Sequence, residues 1–92
     1  MDTKALENIG LTGAEIKVFL TLLELGSSFA GPIVERSGLQ NAVVHRTLHS
    51  LSEKGIVTYV LEGKKKVYSS VNPKLIIDFI DDKKKKYESI LP

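Results

Sequence analysis

A mainly α-helical domain with a small β-hairpin and an added C-terminal helix is the fold class these 92 residues predict. Three observations predict it. Glycines at positions 10, 26, 38 and 55 each close an apolar segment of helical period, where a left-handed cap residue belongs. After Gly55 the period drops from about 3.6 residues to about 2 over two short runs. Beyond Pro73, apolar residues again recur at alternating spacings of four and three.

The first helix is short, from Lys4 to Asn8. The second opens with Thr12-Gly-Ala-Glu15, the spacing of a capping box, in which hydroxyl and carboxylate each satisfy an orphan amide. Ile16, Phe19, Leu20 and Leu23 form one stripe along it; Val18, Leu22 and Leu25 form another on the opposite side. A helix apolar on two sides is covered on two sides, so the second stripe needs another helix or a second copy of the chain. The third helix starts near Gly31-Pro32, since proline suits a first turn, and ends at Gly38. Asn41 then caps a fourth helix running to Glu53-Lys54. Residues 56–61 and 66–71, joined by a turn around Glu62-Gly63, read as a two-stranded ribbon, and Pro73 opens the last helix.

Hydrophobic residues make up 42% and charged residues 26%, the mix of an ordinary globular domain rather than a disordered or membrane chain. No signal peptide opens the sequence, and no apolar run approaches the ~18 residues of a membrane span. With no cysteine the fold rests on packing alone, which fits a reducing, cytoplasmic setting. The net charge of +2 is unevenly spread. Residues 1–62 hold five Lys/Arg against seven Asp/Glu, and residues 63–92 hold eight Lys against four. The basic charge thus collects at Lys64-Lys65-Lys66 and Lys83 to Lys86.

Two closely joined helices followed by a ribbon with a basic tip make a winged helix-turn-helix, here over residues 1–72, with 73–92 as a separate C-terminal helix. Such modules dock either nucleic acid or protein. Several segments then resemble the TrmB-type archaeal transcriptional regulators and, more distantly, MarR-like ones. They are Leu6-x-x-Ile9-Gly-Leu-Thr-x-x-Glu15, Leu22-Leu-Glu-Leu-Gly26, Val44-His-Arg-x-Leu-x-Ser-Leu-x-Glu-Lys-Gly-Ile-Val57, Glu62-Gly-Lys-Lys-Lys-Val-Tyr68 and Val71-Asn-Pro73. The resemblance covers residues 6–73. It implies sequence-specific DNA binding, dimerisation and, often, control of sugar metabolism. The ligand-binding domain usual in that family has no counterpart among these residues, so the chain is expected to be an N-terminal domain or a minimal relative. Sugar sensing is not carried over, no cofactor is expected, and the sequence does not name a small-molecule effector.

On the fourth helix, Val44, Thr47, Leu48 and Leu51 fall within about 100° of arc and form the core face. Opposite lie Ala42, Arg46, His49 and Glu53, flanked by His45, Ser50 and Val43. Gln40, Asn41, Ala42, His45, Arg46, His49 and Ser50 are therefore the candidate DNA contacts of a helix spanning 41–54 in the major groove. Lys64, Lys65 and Lys66 are the candidates on the wing, 62–66, against backbone or minor groove. The resembling family often carries serine and a basic residue around Ala42 and Val43, and an aromatic at His45, so base readout at this helix start is chemically sparse. Ala42 permits close approach and can touch a thymine methyl. Arg46 can take guanine bidentately or clamp a phosphate, unless it pairs with Glu35 or Glu53. Glu53, repelled by phosphate, is expected to lie beyond the contact. Tyr68 is expected to pack on the helices rather than stack on bases.

Ile76, Ile80, Tyr87 and Ile90 fall on one seam, interrupted by Lys83, which predicts pairing with a second copy; the seam could instead lie on Val18, Leu22 and Leu25 of the same chain, or a dimer core could combine these elements. A homodimer would read a pseudo-palindromic duplex with half-sites about one helical turn, ~10 bp, apart. The competing reading is a protein-docking module that uses the surface of Ala42 and Val43. Catalysis is excluded for want of parts: there is no cysteine and no Gly-rich phosphate loop. His45 and His49 have the spacing of two metal ligands, but nothing nearby completes the set.

Overall fold

The computed structural model describes residues 3–8, 10–71 and 73–91; the side chains of residues 3, 5, 73–77, 79 and 80 lie outside the description. Five helices and a small antiparallel sheet follow in the order α1 (Thr3–Asn8), α2 (Gly13–Leu25), β1 (Ser27–Ser28), α3 (Ala30–Ser37), α4 (Asn41–Glu53), β2 (Val57–Glu62), β3 (Lys65–Ser70) and α5 (Pro73–Ile90).

The capping box at the start of α2 is formed as expected. The Glu15 amide donates to Thr12 Oγ1 at 3.1 Å, and the Thr12 amide donates back to Glu15 Oε1 at 2.9 Å. α2 is the central element of the domain, in contact with α1, α3, α4, β1 and β3. Both of its apolar stripes are consumed by these neighbours: Val18, Phe19 and Leu22 are all fully buried. This corrects the expectation that Val18 and Leu22 face a second copy. The chain's own sheet and helices cover them, and Leu25 is half-buried against the same core.

α3 begins one or two residues before the glycine–proline pair, with Phe29 as its N-cap, and ends on Gly38 in the left-handed conformation, φ 73°. The Gly38 amide closes on Val34 at 3.1 Å, so Leu39 and Gln40 turn the chain directly into α4. Here the cap differs from expectation. Gln40, extended and without a side-chain cap bond, is the N-cap, and Asn41 is already the first helical residue. α4 stops where Gly55 takes φ 76° and the Ile56 amide reaches back to Leu51 at 3.0 Å.

The ribbon is shifted by one residue from the sequence reading. β2 pairs with β3 from Val57↔Ser70 to Glu62↔Lys65, so Gly63 and Lys64 form the turn. Gly63 has φ 66° while no non-glycine residue among those described, Lys64 included, has positive φ, the combination a type II′ hairpin turn uses. A third strand joins them: Ser27 and Ser28 pair with Ser69 and Tyr68, giving the order β1-β3-β2. Through this pairing the sheet is stitched to the chain between α2 and α3. Tyr68, buried against the helices as expected, stands opposite Tyr59, their ring centres 5.8 Å apart.

Candidate nucleic-acid interface

The wheel drawn from the sequence holds on α4. Val44, Thr47, Leu48 and Leu51 are buried, while Gln40, Asn41, Ala42, His45, Arg46 and His49 are exposed and Val43 is half-buried. No ion pair engages Arg46 among the described residues. Glu53 is occupied instead by His49, with Nε2 3.0 Å from Oε1 one turn away, a charged contact whenever the imidazole is protonated. His49 is therefore tethered on the exposed face, and among the described residues Arg46 is the permanent cation of that face with no ion pair.

Ser50 is half-buried and is engaged within the protein. Its hydroxyl donates to Glu15 Oε2 at 2.8 Å, across to the start of α2. Lys54 joins the same carboxylate, its Nζ 2.8 Å from both oxygens. Burial pushes the Glu15 carboxyl up, but the Lys54 ammonium, the Thr12 amide and the Ser50 hydroxyl outweigh it and hold the pKa below its ordinary 4.5. With its one proton committed to an internal carboxylate, the Ser50 hydroxyl has no hydrogen left to donate at a base edge.

The wing lies beside the helix. A groove of about 580 Å³ is bounded by the start of α3 (residues 29–32), by His45 of α4, and by residues 64–66 with Tyr68. His45 is thus the α4 residue that shares this groove with the three lysines. The lysines themselves differ, because strand neighbours point to opposite faces. Lys65 Nζ lies 5.6 Å from the centre of the Phe29 ring, and Lys66 Nζ lies 4.5 Å from that of Tyr59. Both are cation–π distances. Lys64, in the turn, has neither contact.

Phe29 and Tyr59 were not singled out from the sequence. A hairpin register centred on Gly63-Lys64 places Tyr59 opposite Tyr68 and beside Lys66, so that signal was present. Phe29 gave none, since its place depends on β1.

A sequence model described as "Sugar-specific transcriptional regulator TrmB" matches residues 6–74. The chain belongs to the TrmB family. Its similarity to the HTH-type sugar sensing transcriptional regulator TrmBL1 of Pyrococcus furiosus is 36% identity over 75 residues, which is 82% of this chain but 22% of that protein. This TrmB-family chain therefore spans about a fifth of the curated relative's length. Among solved structures, it resembles a possible transcriptional regulator from Methanosarcina mazei, with a TM-score of 0.82 and 18% identity over 95% of this chain and 79% of the other. It also resembles the Zα domain of Carassius auratus PKZ, solved in complex with Z-DNA, with a TM-score of 0.59 and 29% identity over 63% of this chain and 92% of that one. The fold is that of winged-helix regulators, and the family is one of transcriptional regulators, not enzymes. No helix among the described residues is long and apolar enough to cross a membrane.

Proposed function

We propose that this TrmB-family chain binds double-stranded DNA sequence-specifically as a homodimer, with α4 in the major groove and the 62–66 wing on the adjacent backbone or minor groove. One observation carries the reading: the open face of α4 around Arg46 adjoins, through His45, a groove whose other wall is the lysine-tipped wing. A single polyanion laid along that face meets both. Arg46 then serves as the bidentate guanine reader or phosphate clamp, and Ala42 allows close approach. Gln40 and Asn41 supply polar groups at the helix start, and Lys64 to Lys66 hold phosphates.

Residues 1–72 act as the reading module and 73–92 as the pairing helix. The exposed Tyr87 and Ile90 of α5 support this, at 61% and 76% exposure. Ile76 and Ile80 share their helical register by sequence; their side chains lie outside the described residues. Two copies double the phosphate contacts and favour a pseudo-palindromic site with half-sites ~10 bp apart.

Salt titration tests the proposal. Binding through about six phosphates weakens ~10³-fold or more between 50 and 200 mM salt, with a preferred duplex recovered from a random pool. A chain that docks protein instead shows no such slope on duplex DNA.

A further inference from the structure

Glu15 carries more than a helix cap. Its side chain is nearly out of solvent, at 4% exposure, yet it collects four hydrogen bonds from two parts of the chain. One comes from its own cap, the Thr12 amide. The others come from Ser50 and Lys54, 35 and 39 residues away, one in the last turn of α4 and one its C-cap residue a turn further on. Among the described residues the opposite end of α4 has no comparable polar fastening: Gln40 makes no side-chain cap bond, Asn41 and Ala42 are exposed, and the hold there is the apolar burial of Val44.

The two kinds of contact along α4 differ physically. Val44, Leu48 and Leu51 hold the helix by apolar burial, which is non-directional and tolerates a few degrees of roll or a small slide. Hydrogen bonds to a charged group weaken steeply off axis. Two donors one turn apart, converging on one carboxylate, oppose both rotation about the helix axis and translation along it. Because each residue occupies about 100° of the helix circumference, a modest roll would redirect the outward side chains away from the groove floor.

We propose that Glu15 is a positioning residue for DNA reading: it fixes the roll of α4, and thereby the aim of Arg46, without touching nucleic acid. This rests on the reading of α4 as the DNA-contacting helix. The wing, held by strand pairing with β2 and β1, does not depend on the Glu15 contacts, so phosphate binding and base reading respond differently to its loss.

The test uses the whole chain with Glu15→Gln, which keeps the shape but loses the charge, with Glu15→Ala, and with Lys54→Arg as a partner able to restore a charged contact. Affinities for the selected duplex and for a random duplex are measured well below each variant's melting midpoint. The ratio of the two should fall about tenfold in Glu15→Ala and less in Glu15→Gln, with random-duplex affinity unchanged and Lys54→Arg close to the parent. Amide hydrogen exchange supplies the readout that does not involve DNA: protection should drop in α4 relative to α2. An unchanged specific-to-random ratio, or a parallel loss on both duplexes, overturns the proposal. So does undiminished α4 protection in Glu15→Ala, whatever the DNA results. A parent chain that binds all duplexes alike would instead remove the base-reading assignment, and this inference with it.

Discussion

The Lys65 ammonium lies over the Phe29 ring, 5.6 Å from its centre, and so ties the wing to the residue that opens α3. Cation–π contacts at exposed sites contribute about 0.5–1 kcal/mol, enough to bias a hairpin tip without locking it. Lys66 makes a similar contact with Tyr59, and Lys64 makes none. The three lysines are adjacent in sequence but not equivalent in freedom.

Substituting Lys64 should therefore act on phosphate binding alone. Lys64→Ala is expected to weaken binding evenly across duplex sequences and to lower the salt slope by about one unit, with no change in melting temperature. Phe29→Leu should leave the charge count intact but free the Lys65 tip. Its salt slope stays near the parent's while affinity drops a few-fold, as expected from losing up to ~1 kcal/mol of preorganisation. Fluorescence anisotropy across a salt series separates the two.

Arg46 is expected to behave differently from every wing lysine. Arg46→Ala should cost ~1–3 kcal/mol on the selected duplex and relax preference at one base pair. Equal weakening on all sequences would reassign the guanidinium to a phosphate. His49, engaged by Glu53, should show a smaller effect on substitution, because its ring already has a partner on the protein.

How far the sequence foretold these features depends on how local each one is. The four glycine stops, the Thr12–Glu15 box and the α4 wheel depend on residues within a turn or two of each other, and each lies where the sequence placed it, although Gly26 closes α2 at φ 87° and ψ −92°, outside the left-handed helical conformation that Gly38 takes. β1 does not, because Ser27-Ser28 carries no alternation and becomes a strand only by pairing with Ser69 and Tyr68. Ser50 looked available because it sits on the shoulder of the wheel, and its partner Glu15 is 35 residues away. Val18 and Leu22 show a third limit. A second apolar stripe says that something covers a helix, and the covering surface here turned out to be the same chain.

The Glu15 network makes a prediction about acid. The folded-state pKa of Glu15 lies below its ordinary 4.5, because the contacts from Lys54, Thr12 and Ser50 outweigh the effect of burial. A carboxyl with a depressed folded pKa contributes stability that is fully present above the unfolded value and is lost as pH falls through the folded one. Stability of the parent should thus be flat with respect to this group above about pH 5 and decline below ~4.5. Glu15→Gln should be less stable near neutrality but should show a shallower decline in that acid range. Urea unfolding at a series of pH values measures both, and parallel pH curves for parent and variant would argue that Glu15 is not coupled to folding.

The burial pattern separates two sets of apolar residues that the sequence had grouped together. Leu22 has no exposed surface, and its neighbours come from several elements, so Leu22→Ala leaves a cavity that they fill only in part. A loss of about 2–5 kcal/mol is expected, a large fraction of what a domain of this size has, and it should appear as a lowered melting temperature. Tyr87 and Ile90 on α5 are instead largely exposed, so Tyr87→Glu with Ile90→Glu removes little from the monomer's core. Charges placed on a paired seam would oppose association. Sedimentation should then show the double variant as a folded monomer with unchanged helix content, binding a half-site but no longer preferring two half-sites in register. If Leu22→Ala were to dissociate the proposed dimer while leaving melting unchanged, α2 would have to face a second copy after all. If the α5 double variant remained dimeric, the pairing surface would have to be sought elsewhere on the chain.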